Sequence, residues 1–419
     1  MSTVFATFSV LKDHVKLKAA GEAVTIDNIV FRLHYRATFL LLIIGSLLVS
    51  SRQFIGEHIR CIADTSVPNR VIETFCFFTS TFTVAKHMNL SAVRDGTIAH
   101  PGVGPVKPGD EVVHHAYYQW VPFFLFFQGI LFYLPHYFWK LKEGGRMKAL
   151  VTGLHMASLS IRDEPLPVNG SLTVPSKNDL QKKIQTIRTA FLNRLHVNRP
   201  WAYYLCVFEL LNFIIVVSQI YVTNSFLGGA FLRLGHRVAN GNFDEDDTTV
   251  DILDTVFPKM TKCTFHKYGQ SGSIQQHDAL CVMALNVVNE KIYTFLWFWL
   301  IILAVITGVN LVWRILTMLL HARSKRFNKL VFGMACPGTN NPWSVLKVTR
   351  QYNFSDWLFL YYIAKNLDNS IFSELFKRLA RDLQHRQDRG GNNEPLPLIP
   401  ENDREEKLPL NIYDEQKRA

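Results

Sequence analysis

Apolar positions along this chain are clustered into long runs rather than spread at a helical or strand period. Crossing a hydrocarbon core takes about 20 apolar residues as helix. Four runs meet or approach that length. Ile292 to Trp313 is 22 residues without a charge, closed by Lys291 and Arg314. Trp120 to Trp139 is 20 residues with no Asp, Glu, Lys or Arg and is dense in Phe. Trp201 to Val222 carries one carboxylate, Glu209. Ala37 to Ser51 is shorter, 15 residues between Arg36 and Arg52. Arginine stems can snorkel toward headgroups, so this run also reads as a span, with its outer end continuing past Arg52. Trp120, Trp139, Trp201 and Trp313 stand at span ends, as an aromatic belt requires.

Basic residues then orient the spans. Residues 1–36 hold five Lys and Arg, 140–200 hold eleven and 314–419 hold seventeen, whereas 52–116 and 223–291 hold six each. The positive-inside rule makes the richer side cytoplasmic. The net charge of +11 is mostly this asymmetry, and it calls for no nucleic-acid partner. The expected fold is an all-α membrane protein: a four-transmembrane-helix bundle with both termini cytoplasmic, cysteine-bearing extracellular loops and a helical cytoplasmic domain. Its segments are an N-terminal segment (1–36), first span (37–56), first extracellular loop (57–116), second span (117–139), cytoplasmic loop (140–200), third span (201–222), second extracellular loop (223–291), fourth span (292–313), cytoplasmic helical domain (314–388) and a disordered tail (389–419) rich in Gly, Asn, Pro and charge. No cleavable signal peptide is expected. Val4, Phe8, Leu11 and Val15 instead fall at helical spacing.

Outside the spans, the pattern predicts three helices. Ser176 and Asp179 form a capping box ahead of the stripe Leu180, Ile184, Ile187, Phe191 and Leu195. Asp356–Leu367 follows with Ser355 as its cap, and Asn369–Gln384 aligns Ile371, Leu375, Leu379 and Leu383. The extracellular loops show no strong periodicity.

Cysteine usage adds a constraint. Cys61 and Cys76 lie in the first extracellular loop and Cys263 and Cys281 in the second. Cys206 sits in an apolar run and Cys336 in the basic tail. Disulfides persist outside the cell, so the four loop cysteines predict a stapled outer face. Four cysteines allow three pairings, and spacing does not choose among them. The sequon at Asn89 falls outside and is a glycosylation candidate. Those at Asn169 and Asn353 fall inside.

No enzyme motif is present: no phosphate-binding glycine loop, His-Glu-x-x-His, Gly-x-Ser-x-Gly or dinucleotide fingerprint. No catalytic residue, cofactor or metal is expected. His114-His115 has no third ligand spaced with it, and the acidic run Asp244–Asp247 lacks the calcium-loop glycine and terminal Glu. Glu209, with Asn212 one turn on, must face the protein interior or water. A hydrogen-bonded helix contact, as to Gln128 or Asn310, is the expected role, and an element of a pore or a proton-sensitive gate is the competing one. Thr38, Gly45, Arg52 and Gly56 share one face of the first span and are candidates to line a pore. Pro122 removes a backbone donor near the outer end of the second span and is expected to kink it. Four helices enclose no wide aqueous path, so a channel requires a ring of subunits.

Several stretches carry a resemblance. Tyr117-Tyr118-Gln119-Trp120-Val121 resembles the signature pentapeptide of the innexins, the invertebrate gap-junction proteins. Phe31–Arg36, Ser51–Gly56, Glu209–Asn212, Asn289–Tyr293 with Phe295–Trp299, and Asp356–Tyr361 are also similar to that family, in its arthropod branch. The last thirty residues carry no such likeness. Ala284 stands where many members have proline.

The resemblance implies a plasma-membrane hemichannel of same-family subunits, homomeric or heteromeric and most simply eight. It docks with a hemichannel on a neighbouring cell at a gap junction and passes ions and small molecules. It further implies an N-terminal funnel, placing Val4 and Phe8 on the pore, and bridges from Cys61 to Cys281 and from Cys76 to Cys263. The competing readings are a non-junctional hemichannel releasing small solutes and a four-span adhesion or scaffold protein.

Overall fold

The computed structural model describes residues 24–55, 59–63, 67–151, 166–168, 172–174, 177–193, 199–240, 252–321, 323–335, 353–367 and 369–388. Val4, Phe8, Gly56, Asn169, Cys336, the acidic run at 244–247 and the tail from 389 lie outside them. The chain divides into two compact units, Met1–Thr152 with Arg199–His321, and Gly153–Asn198 with Ala322–Ala419.

The first unit contains four helices long and apolar enough to cross a membrane. Helix α1 starts at Ile29–Arg32, passes through a π-helical segment at Leu33–Thr38 and continues as Phe39–Ile55. Asn28 caps its start, accepting the Phe31 N–H at 2.6 Å. Thr38 Oγ1 donates to the Leu33 carbonyl at 3.0 Å, which satisfies an acceptor in the widened turn. The helix therefore begins eight residues before the expected boundary at 37, because it extends through the polar positions His34, Tyr35 and Arg36. The second long helix is Val121–Glu143, ended by Gly144 at φ 63°, a left-handed stop that glycine adopts without strain. The third is Arg199–Phe226 and the fourth Ala284–Leu320. The fourth has 37 residues, which at about 1.5 Å each gives roughly 55 Å, well beyond a hydrocarbon core of about 30 Å. Its first turns lie outside the apolar run and carry the buried polar residues Asn286, Asn289 and Glu290.

Beyond one end of these helices, the expectation of an all-α protein is corrected. A five-stranded antiparallel sheet stands there. Its strands are β1 (Arg60–Ile62), β2 (Thr81–Val84) and β3 (Val112–His115) from the first loop, and β6 (Met260–Tyr268) and β7 (Ile274–Val282) from the second. The order is β1-β7-β6-β2-β3. A short separate hairpin in the other unit pairs β4 (Leu166–Val168) with β5 (Leu172–Val174). The large sheet was hidden because its strands are short or polar on both faces. Along β7, Gln275, Gln276 and Asp278 interrupt any alternation. Its pairings also join segments about 200 residues apart, such as Cys61 opposite Cys281.

Among the described residues, the second unit is mainly helical. Lys177–Asn193 packs against Asn369–Asp388, and Lys325–Ala335 packs against Phe354–Asn366. Ile184 and Ile187 are buried on the first of these, and Ile371, Leu375 and Leu379 on its partner. Phe332, Trp357, Phe372 and Phe376 form an aromatic centre, and the Trp357 indole donates to Asn328 Oδ1 at 2.9 Å. Phe354–Asn366 starts two residues before the expected Asp356. Asn353 holds the N-cap position in place of Ser355, and Asp356 falls in the first turn, where a carboxylate is favoured.

Candidate functional site

The candidate site is the membrane bundle of the first unit together with the structures that close its two ends. At one end, the first and second loops are joined twice. Cys61 on β1 is bonded to Cys281 on β7, and Cys76 on helix Asn69–Thr79 is bonded to Cys263 on β6. All four cysteines are buried. Phe75 packs edge-on against Phe265, 5.0 Å between centroids. Helix and sheet thus share one small core under the bridges.

The pentapeptide sits at the junction between this core and the bundle. Tyr117–Gln119 forms a single 3-10 turn leading into Val121–Glu143. The Tyr117 hydroxyl reaches the Val256 carbonyl at 3.0 Å and Asn286 Oδ1 at 3.1 Å, tying the second span to the second loop and the fourth span. Asn286 Nδ2 continues to the Pro258 carbonyl at 2.8 Å. The Tyr118 hydroxyl donates to the Phe77 carbonyl at 3.1 Å, and Gln119 Nε2 to the same oxygen. Burial raises Tyr118 to about 12, so it stays a neutral donor. Trp120 is 64% exposed, and Val121 is buried.

Pro122 does not kink the span. The helix begins at Val121, so Pro122 stands in the first turn, where its missing N–H breaks no intrahelical bond. Its carbonyl accepts Ser46 Oγ of α1 at 2.8 Å. Pro135 is the proline inside that helix.

At the other end of the bundle, two consecutive residues clasp the start of α1 to the remaining spans. Asp27 Oδ1 accepts the Trp139 indole N–H at 2.9 Å, and Oδ2 accepts the Tyr35 hydroxyl at 3.1 Å. His136 Nδ1 lies 3.5 Å from Oδ2, and its ring stacks on Tyr35 at 3.6 Å. Burial raises the Asp27 carboxyl above the usual carboxylate range, against the lowering effect of these donors and of Arg32 and Arg36. Asn28 Nδ2 donates to Glu209 Oε1 at 2.8 Å and to Asn310 Oδ1 at 3.2 Å.

Glu209 is buried and hydrogen-bonded, but its main partner is neither Gln128 nor Asn310. Arg314 holds it through two bonds, Nε to Oε2 at 2.7 Å and Nη2 to Oε1 at 2.5 Å. A bidentate guanidinium satisfies an intramembrane carboxylate where a lone amide leaves it short. Gln128 bonds Thr223 instead, at 2.8 Å, and Asn212 is buried on the same face as Glu209.

The pore-lining candidates divide. Thr38 is fully buried and accepts the Trp299 indole N–H at 2.9 Å. Gly45 faces Leu125 and Ile292, which a Cβ would meet at 3.5 and 3.7 Å. Both are helix-packing positions within one subunit, a correction to their expected place on a pore wall. Arg52 is exposed in the last turn of α1. The exposed stripe of α1 is Leu40, Ile44, Leu47 and Leu48. His115, weighed above only as a metal ligand, bonds Thr83 at 2.8 Å across β2 and β3. Burial lowers it to about 4. Asn89 is exposed.

Sequence reasoning missed Asp27, Asn28, Arg314 and the close approach of Gly235 to Trp297. The three residues had readable signals. Asp-Asn ahead of an apolar run is a helix-start signal. Arg314 directly closes the fourth run, and a membrane carboxylate calls for a basic partner at a span border.

A family model described as Innexin matches residues 27–383. The chain is 47% identical over 380 residues to innexin inx7 of Drosophila melanogaster, across 90% of this chain and 84% of that one. It is 43% identical over 389 residues to innexin inx2 of the same fly, across 91% and 96% of the two chains. It is 42% identical over 393 residues to innexin inx2 of Schistocerca americana, across 92% and 99%. The match covers both ends of the bundle and most of the helical second unit, and the chain belongs to the innexin family of gap-junction channel subunits, multi-pass proteins of the plasma membrane.

Proposed function

We propose that the disulfide-bridged sheet is the extracellular docking face of an innexin hemichannel and that the opposite end of the bundle lies in the cytoplasm with both chain termini. One observation carries this reading. Strands from two loops far apart in sequence form a single bridged sheet beyond one end of the four long helices. The uneven distribution of basic residues supports the orientation. Bridged loops present a surface already ordered before contact, which lowers the entropic cost of association.

Subunits assemble in a ring, most simply of eight, because four spans alone enclose no aqueous path. The exposed stripe of α1 and the segment before it, with Val4 and Phe8, face the path. Thr38 and Gly45 hold α1 in place behind them. Arg52 and Gly56 stand near its outer mouth. No cofactor, metal or catalytic group takes part, and transport is passive. Membrane lipids cover the apolar faces left between subunits.

Junctional current in paired cells, compared with surface current in single cells expressing the same protein, tests the proposal. Junctional current is expected. Surface current alone selects the solute-release reading, for which a glycan on the exposed Asn89 gives a physical reason. Neither current, with surface delivery verified, selects the scaffold reading.

A further inference from the structure

The two bridges do not stand apart. The sulfurs of Cys61, Cys76 and Cys281 all lie within 4.8 Å of one another, and Cys76 is bonded to Cys263. Sulfurs this close resemble part of a thiolate metal site. Here each is already bonded to another sulfur, so the chemistry available is exchange. A thiolate attacks a disulfide sulfur through a mixed intermediate, and rate depends on access as well as on thiolate fraction. All four cysteines are at most 3% exposed, which slows attack by reagents arriving from solvent. A neighbouring sulfur needs no path from solvent.

We propose that the four loop cysteines form one thiol-exchange centre, in which opening the Cys61–Cys281 bridge lets its freed sulfur capture Cys76. With Cys281 free, its thiolate attacks Cys76 Sγ. The Cys281–Cys76 bond forms, the Cys76–Cys263 bond breaks, and the electron pair leaves with Cys263, which takes a proton from water. With Cys61 free, the same attack yields Cys61–Cys76 and again releases Cys263. No net oxidation or reduction occurs in either step. In the native protein, a small monothiol opens the first bridge by forming a mixed disulfide with one sulfur and expelling the other.

The two products differ in what they hold together. Cys61–Cys76 links β1 to helix Asn69–Thr79 within the first loop and leaves no bridge between the loops. Cys76–Cys281 keeps one inter-loop bridge but transfers it from β6 to β7. The centre thus gives the sheet a second covalent state reached without unfolding the membrane bundle. This inference concerns the covalent state of the sheet and does not depend on which side of the membrane it faces or on docking.

The test uses the full chain in membranes. Free thiols are alkylated with N-ethylmaleimide in denaturant, and bridges are mapped by non-reducing proteolysis and mass spectrometry. In Cys61→Ser, label is expected to divide between Cys281 and Cys263, and a Cys76–Cys281 linked peptide is expected to appear. In the double variant Cys61→Ser/Cys281→Ser, Cys76–Cys263 is expected intact, with label on neither. Cys206 and Cys336, which belong to neither bridge, supply a constant label in both. Label on Cys281 and on no other loop cysteine, with Cys76–Cys263 fully retained in Cys61→Ser, overturns the proposal. If the double variant misfolds and exposes Cys76 and Cys263, the wild type decides. Graded mercaptoethanol is then expected to yield Cys61–Cys76 or Cys76–Cys281 peptides, and loss of the native bridges with neither product overturns the proposal.

Discussion

The two ends of the bundle are closed by different physics. At the sheet end, two disulfides and a strand ladder join the loops, so the connection survives changes in charge state. At the other end, the start of α1 is held by hydrogen bonds and a buried ion pair: Asp27 to Tyr35 and Trp139, Asn28 to Glu209 and Asn310, and Glu209 to Arg314. Such contacts are strong only while every partner is present, because a buried charge left alone carries its full desolvation cost. The comparison separates a fixed end from a conditional one.

The largest expected effect breaks the conditional end alone. Arg314→Ala leaves Glu209 buried without its guanidinium and should cost roughly 3–5 kcal/mol. Thermal unfolding in detergent should shift down strongly while bridge mapping stays native. The paired change Glu209→Gln with Arg314→Met should recover much of the loss. Equal losses in the two variants would show that the ion pair does not hold that end.

At the sheet end, Gly235→Ala is expected to act by crowding. A Cβ at Gly235 falls 1.8 Å from the Trp297 ring, so the ring or helix Phe231–Asn240 must move. Overpacking of this kind costs about 1–3 kcal/mol. A lower melting temperature with altered Trp fluorescence is expected, and an unchanged melt would mean that the contact yields freely.

A smaller effect is acid-dependent. His115 lies at about 4 in the fold against an ordinary value near 6.5, because burial disfavours its charged form. The folded value is depressed, so the unfolded chain binds the proton first. The stabilisation from neutral His115 is complete above about pH 6.5 and is lost as pH falls from there toward 4. His115→Gln should flatten the melting temperature over that window. Persistence of the full slope would assign it to another group.

The smallest effect concerns Pro122. Because it sits in the first helical turn, Pro122→Ala should cost less than about 1 kcal/mol, through greater freedom of the unfolded chain. A large loss or an altered span geometry would restore the kink expected from sequence.

Much of this architecture was legible beforehand. Continuous apolar runs need only composition to be seen, so the four spans were readable. The stripes from Ile184 and from Ile371 marked two helices of the second unit. The sheet was not readable, because β1 is only three residues long and finds β7 across 220 positions. The clasp was not readable as a unit either. Asp27 and Asn28 adjoin one another, but Trp139, Glu209, Asn310 and Arg314 meet them only once the helices are packed. Placing Thr38 and Gly45 on a pore wall failed for a related reason. A small-residue face suits a path or a close helix contact equally well, and only the packing of Trp299, Leu125 and Ile292 decides.

By the proposed topology, the fixed and conditional ends face different compartments. The exposed turn between β6 and β7, closed by Gly269 N–H to the Ser273 carbonyl at 2.7 Å, accepts a short epitope at Ser271. A second epitope after Ala419 reports the chain's other end. On intact cells, antibody is predicted to stain the Ser271 epitope and to reach the Ala419 epitope only after permeabilisation. Staining of the Ala419 epitope on intact cells, with the Ser271 epitope silent until permeabilisation, would reverse this topology.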